Sequence, residues 1–208
     1  MKKGLLFSCL ILACSTVQSA PISLEYQGFY QRLKQVNKGH YPLVEVAFSV
    51  PMAGPCIVKS GTLTTEKESF PLTITKRQRI FLPYDDKLKS DRALINLDID
   101  GDSSKCTIAM QVRAKQTKVE YLQAEVVQIQ TEMDELLNDM QGFPMRYFSS
   151  NIAGLNFEFE PGSKIRVTID GVEQIVTGLL RLPREKIATL SNIEFETKPL
   201  VISPWTNG

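Results

Sequence analysis

The chain has 208 residues, 43% hydrophobic and 23% charged, with 24 basic and 23 acidic residues giving a formal net charge of +1. That composition supplies a folded core and excludes a disordered or collagen-like chain. The charge balance excludes a global basic field for nucleic acid or anionic lipid.

Met1 to Lys3 begin the chain with positive charge, and Gly4 to Ala13 follow as an apolar run of about ten residues. This is the pattern of a secretory signal over residues 1–19, too short for a bilayer span of roughly twenty apolar residues. Two processing sites compete. Cleavage between Ser19 and Ala20 places Val17 and Ser19 where signal peptidase probes for small side chains. A lipoprotein would instead be cut before Cys14, with bulky Leu12 at a position that favours small or β-branched residues, so cleavage after Ser19 fits better. Removing Lys2 and Lys3 leaves 22 basic against 23 acidic residues, a net charge near −1. No second run is long enough to be a transmembrane segment.

Of four cysteines, Cys56 and Cys106 remain after cleavage, and an even pair in an oxidising compartment predicts one disulfide. A redox or zinc role fits poorly, because there is no C-x-x-C spacing and the chain has a single histidine, His40.

The exported chain opens with a predicted helix, in which Tyr26, Phe29, Tyr30, Leu33 and Val36 form one stripe and Gly39 with Pro42 supply the stop. His40 falls in the turn that follows, as a solvated or capping residue. Val44, Val46, Phe48 and Val50 then alternate as a strand. From Cys56 to about Lys115, short β-type runs broken by turn residues predict an antiparallel module. Together with the helix it makes a unit over residues 20–116.

Thr117 to Gln141 give the strongest local signal. Thr117 and Glu120 form a capping box, Gly142 and Pro144 close the far end, and Val119, Leu122, Val126, Ile129, Met133, Leu136 and Met140 step by three and four. The expectation is a helix of about 24 residues within a segment 117–142. Its wide apolar face suits packing on the protein's own sheet, and the regular seam leaves a monomer or a dimer through this helix open. Residues 143–208 read as a smaller β-module in which "LNFEFE", "KIRVTI" and "VEQIVT" form a meander or a pair of hairpins. Residues 81–95 and 181–195 align without a gap, matching Leu82 with Leu182 and Pro83 with Pro183, a weak sign that this module repeats the first. The predicted class is α+β: antiparallel β-modules, an N-terminal helix and one long amphipathic helix.

Candidate chemistry is sparse. Asp85 and Asp86 read as turn residues. Asp98, Asp100 and Asp102 with Gly101 resemble a calcium loop but lack the glycine position and bidentate glutamate of an EF-hand. No catalytic constellation, cofactor motif or metal-ligand set emerges, so the expectation is a protein that is not an enzyme and carries no cofactor. Lys76, Arg77 and Arg79 form a basic run, and Asp134, Glu135 and Asp139 an acidic patch on the long helix. Each is a candidate surface for a partner such as another envelope protein, although solvated charge explains both. A small hydrolase using Asp85 and Asp98 is the alternative.

The runs "YQGFYQRLKQVNKGHYPLVEVAFSVP", "CTIAMQVRAKQ", "MQGFPMRYF" and "KPLVISPW" together resemble an uncharacterised, domain-of-unknown-function family of exported proteins from marine gammaproteobacteria. The resemblance spans most of the exported chain. It implies a periplasmic location and brings no activity or functional residues.

Overall fold

The computed structural model describes residues 22–52, 54–142 and 150–206. The expected signal, its expected cleavage site at Ser19 and Ala20, and Cys14 lie outside the described residues. The first half runs β1 (Ile22–Glu25), α1 (Tyr26–Gly39), β2 (Val44–Ser49), β3 (Ile57–Thr64), β4 (Ser69–Pro71), β5 (Arg79–Ile80), α2 (Asp86–Ser90), β6 (Leu94–Asp100) and β7 (Ala109–Ala114). The second runs β8 (Glu120–Leu122), α3 (Gln123–Gln141), β9 (Gly154–Glu158), β10 (Lys164–Ile169), β11 (Val172–Thr177), β12 (Leu179–Pro183), α4 (Arg184–Ile187), β13 (Asn192–Phe195) and β14 (Val201–Trp205). The class is α+β, with strand outweighing helix.

The second half repeats the first, element for element. The four-stranded sheets have the orders β1-β6-β3-β4 and β8-β13-β10-β11, and the three-stranded sheets β5-β2-β7 and β12-β9-β14. Each pair is identical once β8 is set against β1, β9 against β2, and so on. The gap-free echo between residues 81–95 and 181–195 falls on the same connection in both halves, a strand running through a short helix into the next strand. Equivalent elements also meet at the junction. Strand β7 lies beside β14 and helix α1 packs on α3, the arrangement an approximate two-fold axis produces.

Three expectations are corrected. The described residues begin with strand β1, antiparallel to β6, ahead of the helix expected to come first. The long helix spans Gln123–Gln141, 19 residues rather than about 24, and no side-chain bond caps its N-terminus. Residues 120–122 are instead a strand on β13, with Tyr121 opposite Ile193 and the Phe195 amide donating to the Val119 carbonyl at 2.7 Å. Tertiary pairing of alternating Val119 and Tyr121 overrides the local capping signal. Finally, β9 joins β12 and β14 rather than β10, so only β10 and β11 form the expected hairpin.

One core cluster crosses the junction, joining Val44, Phe48 and Val112 to Tyr121, Met133, Phe157 and Ile202, while a second lies within the first half around Tyr30, Leu63, Ile95 and Leu97. The stripe of α3 is interior: Val126, Ile129, Met133 and Leu136 are fully buried. Each such side chain contributes roughly 1.5–3 kcal/mol. The middle of the seam is therefore spent inside the chain, while Val119 and Leu122 at its start are exposed.

Candidate functional site

Cys56 and Cys106 form the disulfide, with Cα atoms 5.7 Å apart and a sequence separation of 50. It joins the approach to β3 to the approach to β7. Beside it the chain turns at Gly101, whose φ of +112° and whose would-be Cβ, 2.2 Å from the Pro55 carbonyl oxygen, admit only glycine. Buried Gln78 ties in the next hairpin. Its side chain accepts from the Val58 amide at 2.6 Å and donates to the Cys56 carbonyl at 3.2 Å.

That hairpin creates the most distinctive surface feature. Thr75 and Arg79, Ile74 and Ile80, and Thr73 and Phe81 pair across it, and then its arms part. One arm, β4, stays on β3 through the Leu72 amide and the Gly61 carbonyl, whereas Phe81–Pro83 turns toward α2. Between them opens a groove of about 530 Å³. Leu63, Leu72, Leu82 and Leu88 line its depth, and Phe70 and Phe81, exposed by 44% and 43%, stand at its mouth. Glu68 and Lys87 face each other across the rim at 4.0 Å, an exposed pair that solvent screens.

The groove wall is held from behind by tyrosines of α1. The Tyr26 hydroxyl donates to the Pro83 carbonyl and accepts from the Asp85 amide. The Tyr30 hydroxyl donates to the Asp86 carboxylate, and Tyr84 stacks on Tyr30 at 5.1 Å. The Asp86 hydrogen bond, followed by that to Tyr84, pushes the Tyr30 hydroxyl above its usual range, and burial does the same for Tyr26. The carboxylate of Asp85 caps α2, accepting from the Lys87 and Leu88 amides at 2.7 and 3.2 Å.

The residues expected as surfaces disperse. Lys76 is exposed at the hairpin tip, Arg77 meets Glu160 of the second half at 2.6 Å, and Arg79 turns to Glu45 at 2.7 Å. Arg113 approaches the same carboxylate at 3.3 Å, and none of the atoms Glu45 Oε1, Arg79 Nε and Arg113 Nε has an aligned hydrogen bond. Opposite charge draws this largely buried cluster together, and Arg79 also lies over the Phe81 ring at 4.2 Å. Burial and the neighbouring Arg79 lower the Arg113 pKa, against the pull of Glu45. On α3, Asp134 binds Arg184 and the Ile152 amide, Asp139 accepts from the Tyr41 hydroxyl at 2.8 Å, and Glu135 is exposed. Two of the three acids thus serve the fold.

Asp98 is exposed in mid-strand opposite Ser60, on a different element from Asp85. Asp100 pairs with Lys59 at 3.5 Å, and Asp102 caps the short turn Ser103–Lys105 and pairs with Lys105 at 3.2 Å. Among the described residues, no three acidic, histidine or cysteine side chains are grouped to hold a metal ion. His40 ends α1 in a left-handed conformation, φ 51° and ψ 47°. Among the described residues, no helix is long and apolar enough to cross a membrane.

Sequence reading placed Phe70 and Phe81 in strands and missed the groove. The available signal was the proline soon after each, Pro71 and Pro83, which marks where a strand leaves its neighbour. No curated protein and no solved structure matches the chain. A family profile described as "Protein of unknown function (DUF2987)" matches residues 18–159, from before β1 to just beyond β9. With most of its length inside that match, the chain belongs to the DUF2987 family.

Proposed function

We propose that the protein is an exported, non-catalytic binding or adaptor protein, whose groove between β4 and α2 receives an apolar segment of another envelope protein. The setting is the periplasm of a marine gammaproteobacterium, as the sequence resemblance implies. The groove carries this reading. It joins an apolar depth to two exposed phenylalanines at its mouth. A polypeptide segment suits such a place because its apolar side chains can enter the depth while its polar backbone stays at the solvated rim. The commitment of Asp85 to capping α2, apart from Asp98, supports the non-catalytic half of the proposal.

A photo-cross-linking residue in place of Phe70, introduced in intact cells, tests it. The expected result is capture of one discrete envelope protein, lost when Phe81→Asp is added and retained with Asp85→Asn, since asparagine also caps a helix. A probe at Met110, equally exposed at 42% but on β7, is the control. Equal capture from Phe70 and Met110 would contradict the reading.

A further inference from the structure

Strand β11 is an edge with β10 on one side only, and it carries the two most exposed large apolar side chains among the described residues, Val172 at 70% and Ile175 at 67%. Its hairpin closes through Asp170 and Gly171, with φ of 53° and 78°, the two-residue turn that makes Ile169 and Val172 a doubly hydrogen-bonded pair. Alternation then commits the backbone of Val172, Gln174 and Val176 to β10, continued by the Gly178 amide on the Ser163 carbonyl at 2.9 Å. The N–H and C=O groups of Glu173, Ile175 and Thr177 point outward. The strand is also held in place. The Asp170 carboxylate accepts from the Ser191 amide at 2.5 Å and from Lys186 at 2.8 Å.

The first half shows how such an edge is normally protected. Its equivalent, β4, has three residues, its outward position 71 is a proline without an N–H, and the outward Thr73 carbonyl is taken by the Phe81 amide. Strand β11 has six residues, no proline and no lysine. The guarding devices of one half are missing from the other.

We propose that β11 pairs antiparallel with β11 of a second copy of this chain, about a two-fold axis at Ile175. Side-chain alternation allows only registers that place odd-numbered residues opposite odd-numbered ones. With Ile175 on the axis, all three outward residues of each copy pair, and Glu173 lies opposite Thr177 of the other copy. Thr177 is the cross-strand partner of Lys164, so Glu173 of each copy, which already pairs with Arg166 of its own chain at 3.0 Å, comes to face Lys164 of the other. A shift that sets Glu173 against itself loses hydrogen bonds and opposes like charges. The two Ile175 side chains bury each other at the axis. One strand pair is smaller than a standard interface, so the dimer is weak and reversible.

Sedimentation equilibrium of the exported chain, up to about 500 μM to reach the weak range such a small interface implies, should show mass rising from one copy to two. Ile175→Pro removes an outward N–H without touching the β10 pairing, and Ile175→Lys adds charge at the axis. Both should stay monomeric with a single melting transition. Leu122→Lys, on the separate β8 edge, should dimerise as the parent does. Ile175→Cys should give a covalent dimer on mild oxidation, because paired residues there lie about 5.5 Å apart. A parent chain monomeric throughout, or a dimer that survives both Ile175→Pro and Ile175→Lys, would overturn the proposal.

Discussion

Replacing Cys56 and Cys106 together by alanine is expected to lower the stability of the protein by about 4 kcal/mol. The staple closes a loop spanning 50 residues, and its loss releases that loop in the unfolded chain. For a domain of this size each kcal/mol moves the melting temperature by about 2–4 °C, so calorimetry should record a fall of roughly 10 °C. The loss should appear in one transition. The larger core cluster draws side chains from both halves, and Tyr41, Leu43 and Arg77 of the first half bond to Asp139, Glu132 and Glu160 of the second. A second transition that moves alone, or a melting temperature unchanged by the double substitution, would contradict this account of the staple.

Phe157→Ala should be as damaging, at about 3–5 kcal/mol, the range for emptying a large buried aromatic site. Phe157 is 1% exposed on β9, the middle strand of its sheet, with its ring 5.2 Å from that of Phe195 and 6.2 Å from that of Tyr121. Those neighbours are anchored. Tyr121 accepts from the Lys118 amide at 2.6 Å, and burial pushes its hydroxyl up to about 12. They cannot collapse into the space the ring leaves, so the cavity persists. Phe157→Leu keeps much of the volume and should cost markedly less in the same denaturant titration. A cost of Phe157→Ala below about 1 kcal/mol would mean that the aromatic cluster is not the packing centre of the second half.

Local periodicity made much of the fold legible. The stripe of α1 places Tyr26 and Tyr30 in the core, and the β10–β11 hairpin follows from Asp170-Gly171 between alternating runs. What failed was long-range pairing. Thr117 and Glu120 carry a sound capping signal, yet β13 recruits the next residues into its sheet, and β9 crosses to the other sheet although Pro161-Gly162 marks a turn after it. The repeat showed in sequence only where strand, short helix and strand keep Leu82 and Leu182, Pro83 and Pro183 in step. Elsewhere the halves share topology while their side chains have diverged: Arg79 stands where the second half has Leu179, and Phe81 where it has Arg181. The groove was legible only in part. Pro71 and Pro83 mark where one hairpin splays after Thr73 and Phe81, but the opening between its arms depends on contacts with β3 and α2.

Export is the claim on which the proposed function rests, since it alone gives these two thiols an oxidising compartment and the groove an envelope partner. Intact-mass spectrometry of the native protein, extracted under alkylation, tests it most directly. The prediction is a chain beginning at Ala20, two hydrogens lighter than its reduced form and without alkyl groups on Cys56 or Cys106. A chain that retains Met1, or one with both thiols alkylated, would contradict the account.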